Sequence, residues 1–204
     1  MLVLHDNLGS GNAYKVRLLL SQLGRPFRRI EYDVTRAETR TPEFLALNPD
    51  GRIPLLEIPD GRLLAQSNAI LFYLAQDTEY LPSDPFAQAQ ALQWMFFEQY
   101  SHEPYIAVAR YWLHFLDPDQ VQKEQLEEKW QRGYQALAVM ETRLRAADFL
   151  ADGGYSIADI ALYAYTHVAD EAEMDLAPYP GIRRWLDRVA EQPGHVLITQ
   201  DDFS

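Results

Sequence analysis

The sequence predicts an α+β protein. A small N-terminal domain of order βαβαββα is followed by an all-helical domain. Three observations support this. Short apolar runs alternate with helical patterns up to residue 79, and no strand pattern recurs after it. A proline-bounded stretch, Tyr80-Leu-Pro-Ser-Asp-Pro85, lies at the change. The charge changes there as well. Residues 1–78 hold 9 basic and 9 acidic side chains, whereas residues 79–204 hold 9 and 21 and carry the whole net charge of −12. The expected domains are 1–79 and 86–204, with 80–85 as linker.

Each element has a local reason. Leu2 to His5 is a short strand. Tyr14 to Leu23 places Val16, Leu19, Leu20 and Leu23 on one helical face, and Gly24 stops it. Phe27 to Asp33 alternates as a strand does. Pro42 opens the short helix PEFLAL. Pro54 to Ile58 and Arg62 to Ala65 flank the turn Pro59-Asp60-Gly61, which makes a β-hairpin. Ser67 is expected to cap a helix carrying Ile70, Leu71 and Leu74. In the second domain, Phe86 to Phe115 reads as a long helix bent at Pro104. Pro118–Ala147, Ser156–Val168 and Pro180–Glu191 read as three more.

Composition narrows the function. Hydrophobic residues make up 48% of 204, enough to bury a core. The acidic balance argues against nucleic acid, which needs a basic surface. There is no cysteine, so thiol chemistry would need a thiol from outside. The start MLVLHDN has neither a basic region nor a long apolar run, and no stretch approaches the ~20 apolar residues of a membrane span. No membrane partner and a soluble, cytoplasmic protein are expected. The five histidines show no metal-ligand spacing, so no metal site is expected.

Four local motifs carry chemistry. In Asn48-Pro-Asp-Gly-Arg-Ile-Pro54, a proline directly precedes an apolar strand. In the cis form it would leave the Ile53 backbone able to pair with an extended ligand, while an ordinary edge-strand proline fits the dipeptide too. Gln66-Ser67 stands at a helix start, where free N–H groups favour a carboxylate or simply a cap. Ser10-Gly11-Asn12 stands at another helix start. There a hydroxyl and an amide could lower the pKa of a bound thiol, or serve only as a turn and cap. Ser156-Ile-Ala-Asp159 fits a capping box and is a folding element.

In this order, the four motifs resemble those of the cytosolic glutathione transferases, over nearly the whole chain. SGNAYKVRLLLSQLG is similar to their first loop and helix, NPDGRIPLLE to their cis-proline motif, QSNAI to their carboxylate motif, and YSIADIALYAYTH to their C-terminal capping box. The resemblance implies a thioredoxin-like domain plus a helical domain, usually a homodimer. Glutathione is the implied co-substrate and a small hydrophobic electrophile its partner.

The implied roles fall on particular residues. Ile53, before Pro54, would pair its backbone with the cysteinyl part of glutathione. Gln66 and Ser67 would hold the γ-glutamyl carboxylate, Gln66 standing where many members carry Glu or Asp. Arg52 would lie near the glycyl carboxylate, with Thr39 and Arg40 as further candidates. Ser10 or Asn12 would face the thiolate, Ser10 matching serine-type members and Asn12 the bacterial Thr/Asn forms. Tyr105 and Arg110, after the Pro104 bend, are the candidates for the second substrate. Lys15, Arg40 and Arg52 supply local positive charge in a neutral domain. Glutathione-dependent disulfide reduction, peroxidase action and a non-catalytic binding module remain open within the same fold.

Overall fold

The computed structural model describes residues 1–119, 121 and 123–202. The chain divides into two compact units: Met1–Gln76 together with the segment from Gln192 onward, and Asp77–Glu191.

The first unit is built on β1 (Leu2–Asp6), β2 (Phe27–Glu31), β3 (Leu55–Glu57) and β4 (Leu63–Ala65). The sheet order is β2-β1-β3-β4, with β2 parallel to β1 and β3 antiparallel to both β1 and β4. The helices are α1 (Gly11–Gln22), α2 (Pro42–Leu47) and α3 (Ser67–Leu74). This is the expected βαβαββα order of a thioredoxin-like domain. The core joins Leu4 of β1 and Leu55 and Leu56 of β3 to Leu18, Leu19 and Leu20 of α1 and Ile70, Leu71 and Leu74 of α3, all nearly or fully buried.

Several expected bounds in this unit change. α1 begins at Gly11 rather than Tyr14, because the extended Ser10 caps it by accepting from the Ala13 N–H at 3.3 Å. β2 ends at Glu31, and Asp33 instead accepts from Thr35 N–H at 2.9 Å in a local turn. Ser67 is the first residue of α3, and its cap position is Gln66.

α1 also departs from a one-sided helix. Lys15 and Arg17 are fully buried along with Tyr14, Val16 and Leu18–Leu20. For Tyr14 and Arg17 the cause is a third covering layer. The Tyr14 hydroxyl donates to the Val196 carbonyl at 2.7 Å, and Arg17 Nη2 donates to the Ile198 carbonyl at 3.1 Å. The expected helical domain therefore gives up its end: residues from Gln192 pack with the first unit.

The second unit is helical: α4 (Pro85–Phe97), α5 (Glu103–Arg110), α6 (Lys123–Leu144), α7 (Ile157–Thr166) and α8 (Pro180–Ala190). The single long helix expected over 86–115 is broken into α4 and α5, with π turns at Glu98–His102 and Tyr111–Phe115. Pro104 explains the first turn. Its ring would collide with the carbonyl four residues back, and a widened turn just upstream relieves that. The expected helix from Pro118 is observed from Lys123, and positions 120 and 122 of that expectation lie outside the described residues.

The capping box of α7 is buried. Ser156 N–H donates to Asp159 Oδ2 at 3.0 Å, and Ser156 Oγ accepts from Ala158 N–H at 3.3 Å. Asp159 also accepts from Leu150 N–H at 3.0 Å and from Trp185 Nε1 at 2.9 Å, so one carboxylate ties α7 to α8.

Candidate functional site

Strand register brings the motifs of the first unit to one edge of the sheet. Leu55 of β3 faces His5 of β1 on one side and Ala65 of β4 on the other. One step further along the same ladder, the chain leaves β3 at Pro54, β4 at Gln66 and β1 after Asp6. The segments that carry Ser10, Ile53 and Ser67 therefore emerge together.

The Ile53–Pro54 peptide bond is cis. Among the described residues, the Ile53 backbone N–H and C=O enter no hydrogen bond. This is the feature an extended peptide-like ligand uses to add itself to a sheet edge.

The starts of α1 and α3 are joined by side chains. Ser67 Oγ donates to Asn12 Oδ1 at 3.1 Å. Lys15 Nζ donates to the same Asn12 oxygen at 2.7 Å, and to Ser67 Oγ and Asn68 Oδ1 at 3.4 Å each. Two helix N-termini, with their positive dipole ends, thus share one polar cluster. Asn12 is half-buried while its neighbours from Gly11 to Leu20 are buried. The cluster meets the surface there.

Gln66 is exposed and holds φ 71°, ψ 112°. A side-chain-bearing residue pays strain in that region, and such strain concentrates at ligand sites. Its side chain makes no cap bond, so the cap position leaves the first N–H groups of α3 without a side-chain acceptor from Gln66.

The basic residues differ among themselves. Arg52 has a largely exposed side chain whose Nε lies 3.7 Å from Asp50 Oδ2. Arg40 Nη1 donates to the Asp50 carbonyl at 2.8 Å and lies over Gly51, where an added Cβ would come within 2.4 Å of it. Thr39 is buried. The guanidinium groups of Arg40 and Arg52 are therefore both at the 48–52 loop, and the Thr39 carbonyl lies against Gly51 with the residue buried.

The residues expected at the second substrate lie in the helical unit, and Arg110 has other work there. It is 4% exposed, and its Nε donates to Glu171 Oε2 at 2.6 Å. Its guanidinium also lies 5.0 Å from the Phe115 ring. That is an internal tie, because α5 turns Arg110 inward. Tyr105 is half-buried, with Lys129 Nζ 5.3 Å from its ring centre. Two open cavities of this unit, of about 570 and 490 Å³, are walled by α6 and by the segment around Glu173, and contain none of the expected residues.

The histidines have structural partners. His102 Nε2 meets Thr166 Oγ1 at 2.9 Å, and His167 Nδ1 meets the Tyr163 carbonyl at 2.8 Å. Among the described residues, no group of three or more His, Asp or Glu is placed to hold a metal ion. No helix among them is long and apolar enough to cross a membrane.

Sequence reasoning missed the burial of Lys15 and its link to Asn12. The available signal was spacing: Asn12 and Lys15 are three residues apart on a helix, which puts them on one face.

Known proteins match this chain in sequence and fold. A family profile described as "Glutathione S-transferase, N-terminal domain" matches residues 2–76, and one described as "Glutathione S-transferase, C-terminal domain" matches residues 93–193. The disulfide-bond oxidoreductase YfcG of Escherichia coli is 30% identical over 199 residues, spanning 92% of this chain and 90% of that protein. The maleylacetoacetate isomerase of Pseudomonas aeruginosa is 30% identical over 194 residues, 90% and 89% of the two chains. The crystal structure of a possible glutathione S-transferase from Rhodopseudomonas palustris superposes with a TM-score of 0.96 at 48% identity, covering 98% of this chain and 99% of that one. Ure2p in complex with S-hexylglutathione superposes at 0.83 with 25% identity over 95% of each chain.

Proposed function

Because this chain belongs to the glutathione S-transferase family, we propose that its first unit binds glutathione and holds the cysteinyl sulfur as a thiolate for attack on a hydrophobic electrophile. The observation that carries this reading is the joining of the α1 and α3 N-termini through Asn12 and Ser67. One terminus suits a thiolate and the other a carboxylate.

In this reading the γ-glutamyl carboxylate takes the first N–H groups of α3 and the Gln66 amide. The cysteinyl backbone pairs with Ile53, and Arg52 and Arg40 face the glycyl carboxylate. The Asn12 amide and the Ser10 hydroxyl donate to the sulfur. Ser10 keeps its proton for this, since its oxygen serves α1 only as an acceptor from Ala13 N–H. The sulfur forms the new bond to carbon as the leaving group departs with the electron pair, and the thiol proton passes to solvent. The protein's part is orientation and fixed donors.

A second reading is reduction of disulfides. Similarity to YfcG favours it, and the absence of cysteine permits it, since both thiols come from glutathione. Two glutathiones would become glutathione disulfide while the substrate disulfide becomes two thiols.

Phe96 and Tyr100, 72% and 84% exposed, make a homodimer part of the proposal, since large exposed aromatics in one stretch mark contact surfaces. Reduced glutathione is a cytosolic reagent, and the reading places the protein in the cytoplasm.

Calorimetric titration with millimolar glutathione is the first test. Absence of binding would sink both catalytic readings in favour of a non-catalytic module. With binding shown, turnover on a chloronitrobenzene against a mixed disulfide or cumene hydroperoxide separates the chemistries. Asn12→Ala is expected to lower turnover by about tenfold or more. Sedimentation at a single protomer mass would remove the dimer.

A further inference from the structure

We propose that Lys15 is a positioning residue: from within the fold it fixes which end of the Asn12 amide faces the ligand. The proposal rests on the glutathione reading for its consequence, but the fixing itself is a property of the protein alone.

A carboxamide has an accepting end and a donating end of nearly the same size, and only its neighbours decide which way it points. A serine hydroxyl cannot decide, because it donates to one end as readily as it accepts from the other. An ammonium can. It has three donors and no acceptor, so the Asn12 atom 2.7 Å from Lys15 Nζ must be the oxygen. With the oxygen held there, Ser67 is obliged to donate to it, as observed at 3.1 Å. The Nδ2 end is then turned away from both residues, at the one half-buried position between Gly11 and Leu20. An N–H donor is what a thiolate requires, and the reversed amide would present an oxygen that repels it.

The burial of Lys15 fits this role. A fully buried ammonium is costly unless its protons are satisfied, and the Asn12 oxygen, the Ser67 hydroxyl and the Asn68 oxygen are among the groups that accept them. Methionine at this position would keep the packing of the stem. The cationic end orders the polar contacts between α1 and α3.

The test uses Lys15→Met, Asn12→Ala and the double variant in the full chain. The thiolate fraction of bound glutathione is read at neutral pH by ultraviolet absorbance. Lys15→Met is expected to lower that fraction about fivefold, as coupled members of one network do. Asn12→Ala should lower it by a similar factor, and the double variant should be no worse than the worse single. Lys15→Cys gives a second check, since the chain has no other cysteine. Aminoethylation in denaturant followed by refolding restores an ammonium of lysine length, and the thiolate fraction should return. A wild-type fraction in Lys15→Met, or a double variant showing the product of the two losses, overturns the proposal. A separate reading needs no ligand. The ¹⁵N order parameter of the Asn12 side-chain amide should be high in the wild type and the aminoethylated protein, and should fall in Lys15→Met. If it does not fall, there is no lock. If the wild type binds no glutathione, the functional reading fails, and the order parameter alone decides whether Lys15 fixes the amide.

Discussion

The Asp6 carboxylate and the Arg17 guanidinium meet at 2.6 Å with both side chains fully buried. The second carboxylate oxygen accepts from Arg29 Nε at 2.7 Å, and Arg29 reaches on to Glu31. Burial pushes the Arg17 pKa down, and the charge and hydrogen bond of Asp6 hold it up. Asp6→Ala would leave that guanidinium buried without its anion. A loss of about 3–5 kcal/mol in urea unfolding is expected. Adding Arg17→Met to the same chain should recover part of it, because the stranded charge is gone.

Gln66→Gly separates strain from binding. Glycine adopts φ 71° without a side-chain clash, so the unliganded protein should gain about 1 kcal/mol in thermal or denaturant unfolding. The same change removes the amide offered to the γ-glutamyl group, so glutathione should bind more weakly. A variant that loses both stability and affinity would show that the backbone of Gln66 is not a reservoir of strain.

Gly51→Ala should act on the other end of the ligand. The residue sits at φ +64°, where a Cβ costs about 1–2 kcal/mol, and the new methyl would displace Arg40 from the Asp50 carbonyl. Reduced stability is expected together with a higher KM for glutathione. A desglycyl analogue should show less of the second effect, because it lacks the carboxylate that the proposed reading assigns to Arg40 and Arg52.

The helical unit carries a pH dependence in Asp159. Complete burial raises its carboxyl to about 6, against the pull of hydrogen bonds from Leu150, Trp185 and Ser156. The unfolded value is near the usual ~3.9. Between these two values the native state holds the extra proton, so this residue's contribution to stability falls as pH rises from about 4 to 6. Asp159→Asn removes that titration. Its unfolding midpoint should lie below the wild type's through loss of the cap, and the gap should narrow between pH 4.5 and pH 7. Glu141 carries the opposite sign. Burial pushes it up, but hydrogen bonds from Arg145 and from the Ile182 and Gly181 N–H groups bring it below its ordinary value. Its contribution is present above the ordinary glutamate pKa and is lost as pH falls below it.

Much of the fold was legible because periodicity and punctuation report it directly. Gly24, Pro42, Pro85 and Pro180 stand at helix boundaries, and the Pro59-Asp60-Gly61 turn joins two paired strands. The motif residues of the first unit were legible as a set, since each stands at a strand or helix end. Their connections were not. The burial of Lys15 and Arg17 was not legible either, because an apolar face on one side of a helix does not say how many layers will cover the rest. The π turns around Pro104 were read as a bend, since the period of an apolar pattern does not distinguish one widened turn from a kink. The burial of Arg110 escaped for a similar reason: its partner Glu171 is 61 residues away.

The return of the segment around Val196 and Ile198 has a consequence for synthesis. The sheet, α1 and α3 leave the ribosome first, yet the groups that cover Tyr14 and Arg17 come only after Asp77–Glu191 has been made. Until then the nascent first unit exposes a tyrosine face and a guanidinium that its mature form hides. Vectorial folding of this chain thus closes where it began, and the helical unit is, in connectivity, an insertion that must be read through before the older half is sealed.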